Sequence, residues 1–166
     1  MTPILHRALA ALHLPHEMRS ARQATNLRVM PNPFLSAEWI AEARVIRAKY
    51  EDQAPKIPIS IRMNQVITKV PFGDGTINSH LDTSSGELVM ELGHLETPDL
   101  TVTTDYATAR QIFLERDPQA GMQAFLGGKI RVEGDMTKMM QMQIAMPNDD
   151  LAMKVAAEIM AITSDL

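Results

Sequence analysis

The sequence predicts an α+β domain in which an antiparallel sheet packs against helices. Apolar residues recur at every second position between residues 57 and 104, which is typical of strands with one buried face. Asp74-Gly75 and Ser85-Gly86 supply tight turns between these strands. Helical spacing precedes and follows this region. The predicted order is therefore a helix, four strands, two helices, one strand and two helices.

The first helix and the four strands have clear residue patterns. Ser36 is a suitable N-cap, and a stripe of apolar residues follows it at helical spacing. This stripe comprises Trp39, Ala43, Ile46 and Tyr50. The four strands alternate over Ile57 to Met63, Ile77 to Leu81, Leu88 to Leu92, and Leu100 to Val102.

The second half of the sequence has a start signal for each predicted element. Asp105 is an N-cap candidate, and Asp117 followed by a proline begins the next helix. A fifth strand runs from Lys129 to Glu133. Asp135 caps a methionine-rich helix, and Asn148 begins a final helix that is more apolar than surface helices usually are.

Composition and charge limit the classes of function. The chain has 166 residues, 45% of them hydrophobic, and no cysteine, so disulfide and thiolate chemistry are excluded. The formal net charge is −4. Residues 1–31 carry +3 from four arginines and one glutamate, and the rest of the chain carries −7. An acidic main body argues against nucleic-acid binding.

The chain is expected to comprise three parts. Residues 1–33 form a basic N-terminal helical extension, residues 34–147 the main domain, and residues 148–166 an apolar C-terminal helix. The basic extension is expected to contact anionic membranes transiently through residues 1–31. Localisation is expected to be cytoplasmic, with mitochondrial import through the arginine-bearing start as the minor alternative.

Catalytic and metal-binding patterns are weak in this sequence. The residue types that a hydrolase would use lie on one strand and the turn after it: His80, Asp82, Ser84 and Ser85. They lack the strand-turn-helix setting of a nucleophile elbow, so a polar outer strand face is the better interpretation. His13 and His16 have no third ligand nearby. We therefore expect no catalytic residue, no metal site and no cofactor.

Methionine is concentrated in one short segment. Five methionines occur within the eleven residues from 136 to 146. Methionine side chains are flexible and polarizable, so they either fill irregular core space or line a site that accepts variable apolar ligands. Each methylene group of a ligand that such side chains bury contributes about 0.8 kcal/mol to binding, so no polar recognition motif is required.

Three short motifs resemble the sterol carrier protein type 2 (sterol-transfer) domain family. They are Pro98 to Thr101 (PDLT), Phe125 to Ile130 (FLGGKI) and Gly134 to Met136 (GDM). The resemblance spans about residues 36 to 146. It implies a five-stranded, mostly antiparallel sheet in the order 3-2-1-4-5, covered on one face by helices, with a hydrophobic tunnel between them. It also implies non-catalytic binding or transfer of a fatty acid, fatty acyl-CoA, sterol or phospholipid.

The resemblance also implies which positions contact the ligand, namely those on the sheet and on the helices that flank the last strand. At the matching positions these are Phe113, Met122, Phe125, Leu126, Ile130, Val132, Met136, Met139 and Met140. The strand pattern adds Met63, Met90 and Val102.

One apolar face of the final helix is expected to cover the gap between sheet and helices near the Met136 helix, and the other to meet a partner or a lipid. The helix is therefore expected to be a lid over the ligand or a contact in a homodimer. An exposed apolar face of its size is unfavourable on a monomer in water. The alternative function is a protein-protein interaction or dimerisation module attached to lipid metabolism, with the same fold and a collapsed tunnel. A hydrolase that uses Ser84 or Ser85 ranks below both.

Overall fold

The structure is a computed structural model that describes residues 30–165, except for the side chains of Glu115 and Pro118. The predicted N-terminal helix and the histidines at positions 13 and 16 lie outside the described residues. The elements are α1 (Ala37–Ala48), β1 (Arg62–Thr68), β2 (Thr76–Asp82), β3 (Val89–Leu92), β4 (Leu100–Asp105), α2 (Tyr106–Glu115), α3 (Pro118–Leu126), β5 (Ile130–Gly134), α4 (Met136–Ala145) and α5 (Asp150–Ala161).

The five strands form one sheet in the order β3-β2-β1-β4-β5. β1 runs parallel to β4, and the other three neighbouring pairs are antiparallel. Met63 lies opposite Leu81 on one side and Leu100 on the other, and Leu81 lies opposite Met90. All four side chains are buried on the helix-covered face. The predicted fold class and strand order are confirmed.

The helix starts follow the predicted capping chemistry. Ser36, Asp105, Asp117 and Asp135 each accept a hydrogen bond from a backbone N–H of the first turn of the helix that follows. The final helix differs by one residue. Its N-cap is Asp149, which accepts from the backbone N–H of Ala152, rather than Asn148.

The first strand also lies further along the chain than its alternation predicts. The pattern from Ile57 to Met63 predicts a strand there, yet β1 begins at Arg62. The segment before β1 instead lies beside the turn between β2 and β3 and forms hydrogen bonds with it. The backbone N–H of Ile57 donates to the carbonyl of Gly86 at 2.8 Å, and Thr83 accepts from the N–H of Ile61. Proline in this segment removes a backbone donor, so a regular ladder cannot form.

The hydrophobic core lies between the sheet, the turn before α1, and helices α1, α2 and α5. Phe34 is fully buried, and its ring meets Trp39 edge-on, with centroids 4.9 Å apart. The end of α5 completes this region, because Ile162 is buried there and Asn32 pairs with Thr163 in a parallel bridge. The two ends of the described chain therefore meet beside the core.

Candidate functional site

A cavity of about 430 Å³ lies beside the core. Its walls are α1, the segment that follows α1, the hairpin of β2 and β3, the end of α2, and α5. This volume is within the usual range for sites that bind small organic molecules.

The deepest part of the cavity is apolar. Its lining includes Trp39 on α1, Leu81 and Met90 on the sheet, and Phe113 on α2. The first three side chains are buried, and Phe113 packs against the core. These residues come from elements that are far apart in sequence, so the cavity forms only when the whole domain is folded.

Helix α5 supplies the opposite wall. Leu151, Val155, Ile159 and Met160 line the cavity, whereas Met153 on another side of the helix is 60% exposed. One apolar face of this helix therefore encloses the cavity. That face approaches α1 rather than α4.

Two ion pairs lie at the rim, between α1 or its following segment and the hairpin of β2 and β3. Arg44 pairs with Glu91, and Lys56 pairs with Glu87 at 2.5 Å. The hydrogen bond from Lys56 to Glu87 raises the pKa of the lysine. Both basic side chains are mostly exposed, so these pairs contribute little to stability. In each pair the glutamate neutralises the basic side chain at the rim of the cavity.

Arg116 connects the end of α2 to α5. This residue adopts the left-handed conformation at the C-cap of α2, with a φ of 51°. Its guanidinium donates to the carbonyl oxygens of Pro147 at 3.0 Å and Ala152 at 3.1 Å. The carbonyl of Pro147 lies just before α5, so Arg116 fixes the position where the cavity wall begins.

Arg47 is the fourth basic residue in the lining and is half-buried. Burial lowers the pKa of its guanidinium. Among residues 30–165, no hydrogen bond or ion pair involves this side-chain group. Arginine remains protonated at neutral pH despite such a shift, so a positive charge faces the cavity without a carboxylate partner in this part of the chain.

A group of polar contacts joins the end of α1 to the outer side of α5. Tyr50 donates a hydrogen bond from its hydroxyl group to Glu158, and Lys49 lies 3.5 Å from the same carboxylate. The Lys154 ammonium group lies 5.2 Å from the centre of the Tyr50 ring. The hydrogen bond from Tyr50 contributes most to lowering the pKa of Glu158. These contacts link two opposite walls of the cavity.

The residues predicted to contact a ligand occupy several environments. Met90 and Phe113 line the cavity. The other ten lie outside its lining. Met63 and Ile130 are buried, while Val102, Phe125, Val132 and Met139 are half-buried. Met122, Leu126, Met136 and Met140 are exposed by between 39% and 76%. The described cavity thus includes two of the twelve predicted residues.

The cavity also includes residues that were not among the predicted ligand contacts. Trp39 belongs to the predicted buried stripe of α1, and Ile159 belongs to the predicted apolar face of α5. Both patterns indicated burial but not a cavity. Arg47 follows Ile46 of this stripe, but Arg44 and Lys49 are also next to stripe residues, so the sequence alone does not single out Arg47.

The candidate hydrolase residues do not assemble into a catalytic group. His80 bonds through Nδ1 to the carbonyl oxygen of Gly93 at 2.9 Å. Asp82 accepts from the backbone N–H of Ser84, and Ser85 accepts from the N–H of Glu87. In the described chain, no hydrogen bond joins the histidine to either serine. These contacts stabilise a strand end and a turn.

Residues 30–165 contain neither a metal-binding cluster nor a membrane-spanning helix. Within that range no group of three or more histidine, aspartate or glutamate side chains is arranged to hold a metal ion. No helix in the same range has both the length and the apolar character needed to cross a bilayer.

Comparisons with solved structures place this fold among known ones. A conserved hypothetical protein of Thermus thermophilus is 15% identical, with a TM-score of 0.52 over 82% of this chain and 97% of that chain. The sterol carrier protein domain 2 of Helicoverpa armigera is 17% identical, with a TM-score of 0.47 over 70% and 87%. Sterol carrier protein 2 like 2 of Aedes aegypti is 20% identical, with a TM-score of 0.46 over 66% and 94%.

Sequence comparisons identify the family. No curated protein sequence matches the chain. A family model described as the SCP-2 sterol transfer family matches residues 64–146, which is half of the chain. The matched segment begins inside β1 and ends at Met146, just after α4, so it contains most of the sheet and helices α2 to α4. The chain belongs to the SCP-2 sterol transfer family.

Proposed function

We propose that this chain binds one lipid molecule in the cavity between α1, the sheet and α5, and carries it without chemical change. Membership of a sterol transfer family supports lipid or sterol binding or transfer as the class of function. The observation that carries the proposal is the cavity itself, with an apolar interior and a charged rim. This polarity matches a molecule that has a long apolar part and a polar end.

The ligand class follows from the lining. Aliphatic and aromatic side chains provide most contacts in the deep part, and they make no directional demand on an alkyl chain or a sterol. Each methylene group that leaves water for this interior contributes about 0.8 kcal/mol. Fatty acids, fatty acyl-CoA, sterols and phospholipids all satisfy this requirement, so we propose a lipid with at least one part that fits the cavity.

Trp39 offers a direct test of cavity occupancy. It is the only tryptophan of the sequence, and it is 2% exposed in the cavity wall. A brominated alkyl chain quenches tryptophan emission only at close contact. Titration with a bromododecanoate should therefore quench Trp39 saturably. Dodecanoate without bromine should displace the brominated ligand and restore the emission. Absence of saturable quenching would contradict the proposed site.

A second experiment identifies the natural ligand. Protein purified without detergent should retain a lipid in about equimolar amount, and mass spectrometry of the organic extract should identify it. As a control, an Ile159→Asp variant purified in parallel should retain much less. Recovery of equal amounts from both proteins would show that the lipid is bound elsewhere.

A protein-interaction module is the second candidate function, and the exposed apolar side chains favour it. Leu126 on α3, with Met140 and Ile144 on α4, are exposed by 63% to 86%. Met140 and Ile144 lie one turn apart on α4, and adjacent exposed apolar side chains often mark a contact with another protein. We propose sedimentation analysis of the delipidated protein as the test. A ligand-independent dimer that fails to bind any alkyl chain would favour this function over lipid binding.

A further inference from the structure

The four basic side chains in the cavity lining differ in what neutralises them. Arg44 and Lys56 each pair with a glutamate of the hairpin formed by β2 and β3. Arg116 donates to two backbone carbonyl oxygens. Arg47 has no such partner among residues 30–165, and it is less exposed than the Arg44 and Lys56 side chains. It therefore provides the least compensated positive charge in the lining.

The half-buried Arg47 side chain therefore has hydrogen-bond donors that are open to a further group. A charge-assisted hydrogen bond from a guanidinium group to an anion is about twice as strong as a bond between neutral groups. Arg47 lies in the last turn of α1, where the helix dipole offers partial compensation. Glu51 follows within about one helical turn and also lines the cavity, yet no ion pair joins it to Arg47 in the described chain. An anionic group inside the cavity would supply such an acceptor.

The geometry of arginine indicates the chemistry of that group. A guanidinium group presents several N–H donors in a planar fork, which matches the oxygens of a carboxylate or a phosphate. Trp39 and Ile159 line the same cavity and provide an apolar surface for the rest of the molecule. We infer that Arg47 binds the anionic headgroup of the lipid, a carboxylate or a phosphate that ends an alkyl chain. This inference rests on the proposed lipid-binding function.

The test compares three ligands that share one chain. Dodecanoate, dodecyl phosphate and dodecanol carry a carboxylate, a phosphate and a neutral hydroxyl group. Their affinities are measured by displacement of a bromododecanol that quenches Trp39, so that the reporter itself has no charge. In the wild-type protein, at least one anionic ligand should bind about tenfold or more tightly than the alcohol. Whichever anion shows the preference identifies the headgroup chemistry.

Variants then assign the preference to one residue. Arg47→Gln should remove the preference and leave dodecanol affinity within about twofold. Arg47→Lys keeps the positive charge and should retain part of the preference for the anionic ligand. Arg131→Gln is the matched control, because this exposed arginine of β5 pairs with Glu133 outside the cavity. It makes the same change in net charge and should leave the preference intact.

The results separate this inference from the function on which it rests. If bromododecanol does not quench Trp39 in the wild-type protein, and no ligand displaces it, the proposed function is wrong. If all three ligands bind equally, or if Arg47→Gln weakens them equally, lipid binding stands and the headgroup assignment is overturned. Loss of the preference in Arg131→Gln would also overturn it, because general charge would then be the cause. Should Arg47→Gln fail to fold, the three wild-type affinities together with Arg47→Lys still decide the outcome.

Discussion

The segment that carries the family motifs and the helices that enclose the cavity have different structural roles. Between Pro98 and Met136, the motif residues connect strands and begin helices. Asp99 accepts from the backbone N–H of Arg62 at 2.8 Å and from Lys138 Nζ at 2.7 Å. By contrast, α1 and α5 lie outside the matched residues 64–146 and supply much of the cavity lining.

This difference bears on the proposed ligand, because part of the cavity lining lies outside the matched segment. Asp99 and Gly134 lie in the matched segment where β1, β4, β5 and α4 meet, and neither residue lines the cavity. In the proposed function, ligand preference depends on cavity side chains such as Trp39, Arg47 and Ile159, which lie outside the matched segment. Substitutions in the two regions should therefore affect different properties of the protein.

The largest effect on stability is expected at Gly134. Its φ is 111°, and an added Cβ would lie 2.5 Å from the carbonyl oxygen of Asp99 and 2.8 Å from the Cα of Leu100. We predict that Gly134→Ala lowers the free energy of unfolding by roughly 2 to 5 kcal/mol, because backbone strain and a steric clash add. Chemical denaturation followed by circular dichroism measures this change.

Gly121 provides the matched control for that substitution. It lies inside α3, and an added Cβ would meet no atom within 4 Å. Gly121→Ala should therefore leave stability unchanged or raise it by up to about 1 kcal/mol, because alanine favours helix. Equal unfolding curves for the two variants would show that Gly134 does not hold this junction together.

The largest effect on ligand affinity is expected in α5. We predict that Ile159→Asp weakens binding of a brominated alkyl chain by about a hundredfold or more, because a carboxylate then faces the apolar interior. Met140→Asp should change affinity by less than about twofold, because Met140 is 63% exposed and lies outside the lining. Quenching of Trp39 measures both affinities.

This pair of variants also tests the contact set predicted from sequence. If Met140→Asp or Met139→Asp abolishes binding while Ile159→Asp does not, the methionine-rich helix forms the ligand wall, as the resemblance implies. Circular dichroism melting of each variant establishes that the loss comes from the site rather than from unfolding. Met139 is half-buried against the core, so its variant requires this control most.

Much of the fold could be predicted from sequence because local rules and global packing agree there. Alternation identified β2, β3 and β4, and capping aspartates identified the starts of α2, α3 and α4. The position of β1 could not be predicted well, because the alternation that begins at Ile57 continues into the strand. Only tertiary hydrogen bonds to Thr83 and Gly86 determine where the ladder begins.

The cavity was less predictable for a physical reason. Periodicity reports which side of an element is buried, but it does not report what that side faces. The apolar face of α5 was identified, but the sequence placed it near the Met136 helix (α4), whereas in the structure it approaches α1. Contacts such as the hydrogen bond from Trp39 to Thr163 decide this, and they join residues 124 positions apart. The methionines of α4 follow the same helical spacing, yet none of them lines the cavity.

A smaller, pH-dependent effect is expected in the motif segment. The hydrogen bond from Lys138 is the main cause that lowers the pKa of Asp99 below its ordinary value, aided by the backbone N–H of Arg62. A carboxyl group with a lowered pKa stabilises the folded state when it is ionised. This contribution is present above the unfolded-state pKa and is lost as the pH falls through the lower folded-state pKa.

Asp99→Asn should therefore lower the free energy of unfolding at neutral pH by about 1 to 2 kcal/mol. The difference from the wild-type protein should shrink as the pH falls below about 4, where the wild-type carboxyl group begins to protonate. Urea denaturation at several pH values measures this difference. A difference that stays constant down to strongly acidic pH would show that the charge of Asp99 contributes nothing and that only its shape matters.

The smallest effect is expected where α5 attaches to α1. Thr163 accepts a hydrogen bond from Trp39 Nε1 at 2.9 Å and donates one to the carbonyl oxygen of Ile159 at 2.7 Å. Thr163→Val keeps the shape and removes both bonds, so it should lower the free energy of unfolding by about 1 kcal/mol. Because α5 forms one cavity wall, the weaker attachment should also speed ligand release by a few-fold, measured by stopped-flow recovery of Trp39 emission. Thr137→Val, at the exposed first turn of α4, makes the same chemical change away from the cavity and should leave release unchanged. Equal release rates in the two variants would show that the end of α5 does not control access to the ligand.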